Sequence, residues 1–197
     1  RLVALSRALI GRIRGGLAQV NVLVSMFFAG MNGSVVADTA TVGALVLPAM
    51  KKAGYPAAFS AAVTGVSSTI GGIIPPSIMM IVLANSTEIS IAALFAAGIV
   101  PGVLIGITIM IINHYFAIKY NFERSDEPFS IRRAGKELYR SSFALLIPLV
   151  LVGSVMGGVA SVVEAGAITA MVALFTGVFV YRTIKWKDCT GAFRRAF

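Results

Sequence analysis

The apolar segment at residues 17–50 limits what this chain can fold into more than any other part of the sequence. It holds 34 residues, and Asp38 is the only charged side chain between Arg14 and Lys51. As a single helix the segment would be about 50 Å long, whereas the hydrocarbon core of a bilayer is ~30 Å thick. Two complete spans would need about 40 residues and a turn. The segment therefore fits neither one crossing nor two.

The composition indicates that the bilayer is the relevant solvent. Hydrophobic residues make up 57% of the chain and charged residues only 13%, which is too little polar surface for a soluble domain of this size. The net charge of +9 comes from Lys and Arg residues that cluster between apolar runs, as in membrane proteins with basic cytoplasmic loops, so nucleic acid is not an expected partner. The single cysteine excludes a disulfide within the chain. We predict an all-α polytopic membrane protein.

The charge pattern predicts a topology. We divide the chain into an amphipathic interfacial helix at 1–16, the segment 17–50, a broken helix with a following transmembrane helix at 53–118, a cytoplasmic loop at 119–141, two transmembrane helices at 142–184 and a basic cytoplasmic tail at 185–197. If 17–50 crossed once, the arginines of 1–16 would lie outside, against the positive-inside rule. Length and charge therefore both predict that 17–50 is a re-entrant hairpin with its tip at "GMNGSVVAD".

The hairpin tip carries residues that suit a polar site. Non-helical backbone at membrane depth is tolerated only where it is buried in protein or lines an aqueous cavity. Gly33 permits a tight turn, and oxygen atoms or caps come from Asn32, Ser34, Asp38 and Thr39. An acid at membrane depth predicts a functional site. A purely structural role for Asp38, as a cap of the returning helix, is the alternative.

A second interruption lies at residues 64–80, "TGVSSTIGGIIPPSIMM". Pro75 and Pro76 remove two backbone donors, so we expect the carbonyls of residues 70–74 to lose their helical partners. Free carbonyls are hard oxygen ligands of the kind that alkali cations prefer. Hydroxyls immediately before the break come from Ser67, Ser68 and Thr69.

Two discontinuous segments at membrane depth are typical of secondary transporters. A channel-like protein with a re-entrant selectivity loop is the alternative, although paired, unequal breaks favour one asymmetric site over a symmetric ring. An intramembrane enzyme is not expected, because Asp38 has no evident acidic or basic partner in the sequence. There is also no phosphate-binding loop for ATP hydrolysis.

The stretch "AGMNGSVVADTATVGALVLPAMKKAGYPAAFSAAVTGVSSTIGGIIPPSIMMIVLA" closely resembles the large membrane subunit of tripartite ATP-independent periplasmic (TRAP) transporters. The resemblance is strong over residues 1–122 and weaker over 142–189. It implies one half of an inverted-repeat, ion-transporter-like fold in a multi-pass subunit of the bacterial inner membrane. The second half of the same subunit would carry its own hairpin and broken helix.

The resemblance also implies an activity and partners. The activity is import of organic acids, of the C4-dicarboxylate or sialic-acid type, driven by sodium through an elevator-like motion. The partners are a periplasmic substrate-binding protein, a small four-helix membrane subunit and the second half of the large subunit. Na⁺ is the coupling ion, and no other cofactor is implied.

The family's site residues can be carried over to this sequence. The implied sodium ligands, largely backbone carbonyls, are Gly33, Ser34, Val36 and Asp38 opposite Gly71, Ile73 and Ile74. The implied substrate-binding residues are Ser68, Thr69 and Ser77. Two departures affect these assignments. The family usually has Gly-Pro where this chain has Gly71-Gly72, and a "TPTEA"-like stretch where this chain has "SVVEA".

Overall fold

A computed structural model describes residues 2–10, 13–122 and 130–181, and the regular elements in these ranges are helices. They are α1 (Leu2–Ile10), α2 (Gly16–Asn32), α3 (Val35–Lys52), α4 (Ala57–Ser68), a 3₁₀ turn (Thr69–Gly72), α5 (Ile78–Thr87), α6 (Ile91–Lys119), α7 (Ile131–Met156), α8 (Val162–Phe175) and a π-helical turn (Thr176–Val180). The helices at Ile91–Lys119, Ala134–Met156 and Val162–Val180 are long and apolar enough to span a bilayer. The predicted class, an all-α polytopic membrane protein, is confirmed.

The segment 17–50 forms a helical hairpin. Its arms, α2 and α3, are 17 and 18 residues long, shorter than the about 20 residues of a full span. The two arms pack on each other and on α4 around buried aliphatic side chains that include Val22, Val42 and Val46. The re-entrant path of this hairpin in a bilayer, and the membrane boundaries of the six segments, stay predictions.

Both ends of the hairpin lie at one end of the molecule. Just before α2, Arg14 donates a hydrogen bond of 3.2 Å to Oδ1 of Asn121, which follows α6. Just after α3, the ring of Tyr55 lies 4.7 Å from the ring of Phe122, centroid to centroid. The chain therefore enters and leaves the hairpin next to the same end of α6, near Lys119.

Helix α6 approaches its neighbours through glycines spaced one turn apart. A Cβ on Gly98 would lie 2.5 Å from the carbonyl oxygen of Ile73, and a Cβ on Gly102 would lie 2.4 Å from Cγ1 of Ile74. Small residues of this kind allow close backbone contact between helices in membranes. The broken segment therefore sits directly on α6. Pro101 lies between these glycines without ending the helix.

The structure differs from the sequence-based expectation at residues 119–141. The segment is expected to be a cytoplasmic loop, but α7 already begins at Ile131. Helix-forming residues continue through "RRAGKELYR", and Glu137 pairs with Arg140 at 3.2 Å, one turn away. The first turns of α7 are charged, so the hydropathy pattern, which detects only the apolar part that follows, does not indicate where the helix begins. The predicted tail at 185–197 lies outside the described residues.

Candidate functional site

The tip of the hairpin is a two-residue turn with complementary caps. Gly33 ends α2 in the left-handed conformation at φ 59°, and its N–H donates to the carbonyl of Ala29. Ser34 begins α3 in an extended conformation, and its hydroxyl accepts a hydrogen bond of 3.4 Å from the N–H of Ala37. Glycine is favoured after a helix and serine before one for these reasons. The turn therefore follows directly from the "NGS" sequence.

At the second interruption, Pro75 and Pro76 prevent the helix from continuing, and Ser77 begins the next helix, α5. Ser77 caps α5 by accepting from the N–H of Met80 at 3.4 Å, while its hydroxyl donates to the carbonyl of Gly72 at 2.8 Å. The carbonyl of Ile70 accepts from the amides of Ile73 and Ile74. The expectation that the carbonyls of 70–74 would lose their helical partners is thus wrong for Ile70, which accepts from the amide four residues later. The carbonyl of Gly72 has no helical partner, and the Ser77 hydroxyl replaces it.

The two interruptions touch each other. The N–H of Ile78 donates to the carbonyl of Gly33 at 3.0 Å, and a Cβ on Gly33 would lie 2.6 Å from the carbonyl oxygen of Pro76. A Cβ on Gly71 would lie 3.6 Å from the carbonyl oxygen of Ser34 and 3.8 Å from Cβ of Asp38. Four of the predicted ligands, Gly33, Ser34, Asp38 and Gly71, therefore lie in one compact region.

Asp38 is the most unusual side chain of this region. It is fully buried, and neither carboxyl oxygen has a hydrogen-bond partner among the described residues. The hydroxyls of Ser25 and Ser68 lie beside it, and the Ser68 hydroxyl is itself buried without a hydrogen bond of good geometry. Buried polar groups in proteins are normally paired, and an ionised carboxyl group is costly to bury alone. These buried, hard oxygen atoms are of the kind that bind an alkali cation.

Other predicted residues contribute differently. The side chain of Val36 is 79% exposed, and the side chain of Ile74 packs against α6, so only their backbone atoms remain as candidate ligands. Thr69 is exposed and donates its hydroxyl to the carbonyl of Val66 at 2.7 Å. The Ser77 hydroxyl is used as a cap. Of the three predicted substrate-binding residues, Ser68 alone has a buried hydroxyl without a partner in the described part of the chain.

Sequence reasoning missed a buried chain of polar side chains between α2 and α4, which we call the hydroxyl chain. Its members are Asn21, Ser25, Thr64 and Ser67. All four are buried, and Ser25, at one end of the hydroxyl chain, lies beside Asp38. The signal was present in "QVNVLVS", where Asn21 and Ser25 recur one helical turn apart inside an apolar run.

Comparison with known proteins gives consistent matches. The family model described as "Tripartite ATP-independent periplasmic transporter, DctM component" matches residues 1–197. A C4-dicarboxylate TRAP transporter large permease of Pseudomonas aeruginosa is 36% identical over 96% of this chain and 44% of its own length. A 2,3-diketo-L-gulonate TRAP transporter large permease of Escherichia coli is 37% identical over 92% of this chain and 43% of its own. A sialic acid TRAP transporter permease of Haemophilus influenzae is 36% identical over 95% of this chain and 30% of its own. The chain spans less than half the length of these relatives.

Proposed function

Because the chain belongs to the DctM component family of tripartite ATP-independent periplasmic transporters, we propose that it is part of a large permease subunit that imports organic acids with sodium. The relatives described above are permeases for a C4-dicarboxylate, a sialic acid and a diketo sugar acid, all of which are carboxylates. We propose the same substrate class for this protein. Its partners would be a periplasmic substrate-binding protein, a small four-helix membrane subunit and the second half of the subunit, in the bacterial inner membrane.

The observation that supports sodium coupling best is the environment of Asp38. An ionised carboxyl group that is buried with two unpartnered oxygens is unfavourable unless a cation compensates its charge. The adjoining hairpin turn and broken segment bring further oxygen atoms close, through Ser34, Ser68 and Gly71. A sodium ion bound at this point would tie the hairpin to the broken segment, so that binding of the ion would favour one arrangement of the two.

The proposed cycle moves the hairpin and the broken segment together. Their contacts are made through backbone atoms, namely the Ile78 amide on the Gly33 carbonyl and the close approach of Gly71 to Ser34. Such contacts favour motion of the pair as one body. An elevator-like displacement of this body, with the organic acid beside Ser68, Thr69 and Ser77, would expose the site to either side of the membrane.

The test is replacement of Asp38 in the full-length permease, reconstituted with its partners in proteoliposomes. We expect Asp38→Asn to abolish uptake driven by an inward sodium gradient, because the amide keeps the shape and removes the charge. Glu164→Gln is the matched control. Glu164 is an exposed acid that accepts from the N–H of Ser161 in a capping box, and glutamine can replace it there. Unchanged uptake and unchanged sodium dependence in Asp38→Asn would refute the assignment.

A further inference from the structure

The directions of the hydrogen bonds in the hydroxyl chain can be worked out in part from the protons available to each member. A hydroxyl has one proton to donate, whereas its oxygen can accept two hydrogen bonds. Thr64 uses its proton on the carbonyl of Ser60 at 2.9 Å. Its oxygen must therefore accept the contact of 2.7 Å from Asn21, which means that Asn21 presents its Nδ2 amide to Thr64 and its Oδ1 to the other side.

The next two members have a choice of acceptors. Ser67 can donate its proton to Oδ1 of Asn21 at 3.4 Å, to the carbonyl of Thr64 at 3.1 Å or to Oγ of Ser25 at 3.1 Å. In the first two arrangements the Ser67 oxygen accepts from Ser25, so the single proton of Ser25 points away from Asp38. In the third arrangement Ser25 keeps its own proton and can donate it to Asp38.

The first two arrangements suit a cation at Asp38. Ser25 lies beside the carboxyl group of Asp38 and would present only lone pairs to it. Ser25 and an ionised Asp38 would then both face one buried space as acceptors, which is unfavourable unless something positive lies between them. A hard cation satisfies both at once.

We propose that Ser25 supplies a side-chain oxygen ligand to the sodium ion at Asp38, and that Asn21 is a positioning residue that holds the Ser25 hydroxyl in the orientation needed for this. The proposal rests on the sodium site of the proposed function. It adds α2 to the hairpin turn and the broken segment as a third element that surrounds the site. Neither residue belongs to the hairpin turn or to the broken segment. The site is then enclosed by the first arm of the hairpin as well as by its tip.

The test measures ion binding without transport. The full-length permease, purified in detergent, is titrated with NaCl at constant ionic strength against choline chloride, and thermal unfolding is followed at each concentration. The midpoint of thermal unfolding without sodium reports the stability of the fold. The sodium concentration that gives half-maximal stabilisation reports the affinity of the site for sodium. We expect Ser25→Ala to raise that concentration about tenfold, as for loss of one interaction with a charged group. Asn21→Leu should raise it severalfold.

Ser60→Ala is the matched control. Ser60 is also buried, and its hydroxyl donates to the carbonyl of Pro56 at the far end of α4. Ser60→Ala removes the same atom as Ser25→Ala and should leave the half-maximal concentration unchanged. A purely structural role for the hydroxyl chain would lower the sodium-free midpoint in Asn21→Leu without moving the half-maximal concentration.

The outcomes separate this proposal from the one on which it rests. If Ser25→Ala behaves like Ser60→Ala while Asp38→Asn loses all stabilisation by sodium, the ligand role of Ser25 is wrong and the sodium site stands. If the unaltered permease gains no stability from sodium over choline, both proposals fail. Ser25→Ala removes a single atom, so the comparison holds even if Asn21→Leu does not fold.

Discussion

A single methyl group at position 98 should disturb the broken segment from outside the candidate site. In Gly98→Ala the new Cβ would lie 2.5 Å from the carbonyl oxygen of Ile73, whereas ordinary van der Waals contact begins at 3.4 Å. The carbonyl or the helix would have to move by about 0.9 Å to restore ordinary contact. Overpacking of this kind costs about 1–3 kcal/mol. Cε of Met80 is also close, at 2.4 Å, but it is the end of a flexible side chain and can turn away.

The assay is thermal unfolding of the purified full-length permease, with and without sodium. Gly98→Ala should lower the midpoint and weaken the stabilisation by sodium, because Ile73 is one of the predicted ligands. Gly153→Ala in α7 is the control, since a Cβ there meets no atom within 4 Å. Adding Met80→Ala to Gly98→Ala should not restore either quantity, because the carbonyl contact remains. If Gly98→Ala matches Gly153→Ala in both measurements, the argument that α6 positions the broken segment is wrong.

Two further predictions concern the hairpin. Gly33→Ala should destabilise the permease more than Gly54→Ala: both glycines have positive φ, at 59° and 79°, but only at Gly33 does a Cβ meet a backbone oxygen, whereas at Gly54 nothing lies within 4 Å. Equal midpoints in a thermal unfolding assay would contradict the contact between turn and break. In a full-length permease without other cysteines, Ile13→Cys and Lys52→Cys should react with an impermeant thiol reagent from the same side of the membrane, because both ends of the hairpin lie at one end of the molecule. Labelling from opposite sides would refute the re-entrant hairpin.

The turn and the break could be predicted from the sequence because their signals are local. Gly33 and Ser34 are strong caps, and the pair Pro75 and Pro76 cannot continue a helix. The length of 17–50 added a global constraint, because a bilayer has a fixed thickness. These features required no knowledge of which helix packs on which.

The remaining features depend on packing between distant segments. The hydroxyl chain joins α2 to α4 across more than 40 positions, and nothing in either segment alone indicates which polar side chain meets which. The hydrogen-bond partners of the Ile70 and Gly72 carbonyls arise from the path of the broken segment itself. The start of α7 at Ile131 was hidden because hydropathy detects only the apolar part of a helix.

The contact between α6 and the broken segment has a consequence for how such a permease can diversify. At Gly98 the neighbour is the carbonyl oxygen of Ile73, so this contact depends on a missing side chain on one partner and on main-chain atoms on the other. Substitution of Ile73 leaves its carbonyl in place, whereas substitution of Gly98 does not. Under the proposed function, the side chain at position 73 can therefore change over generations while the carbonyl oxygen that is predicted to serve the ion keeps its position. Sequence variation in the broken segment is then compatible with an unchanged ion site.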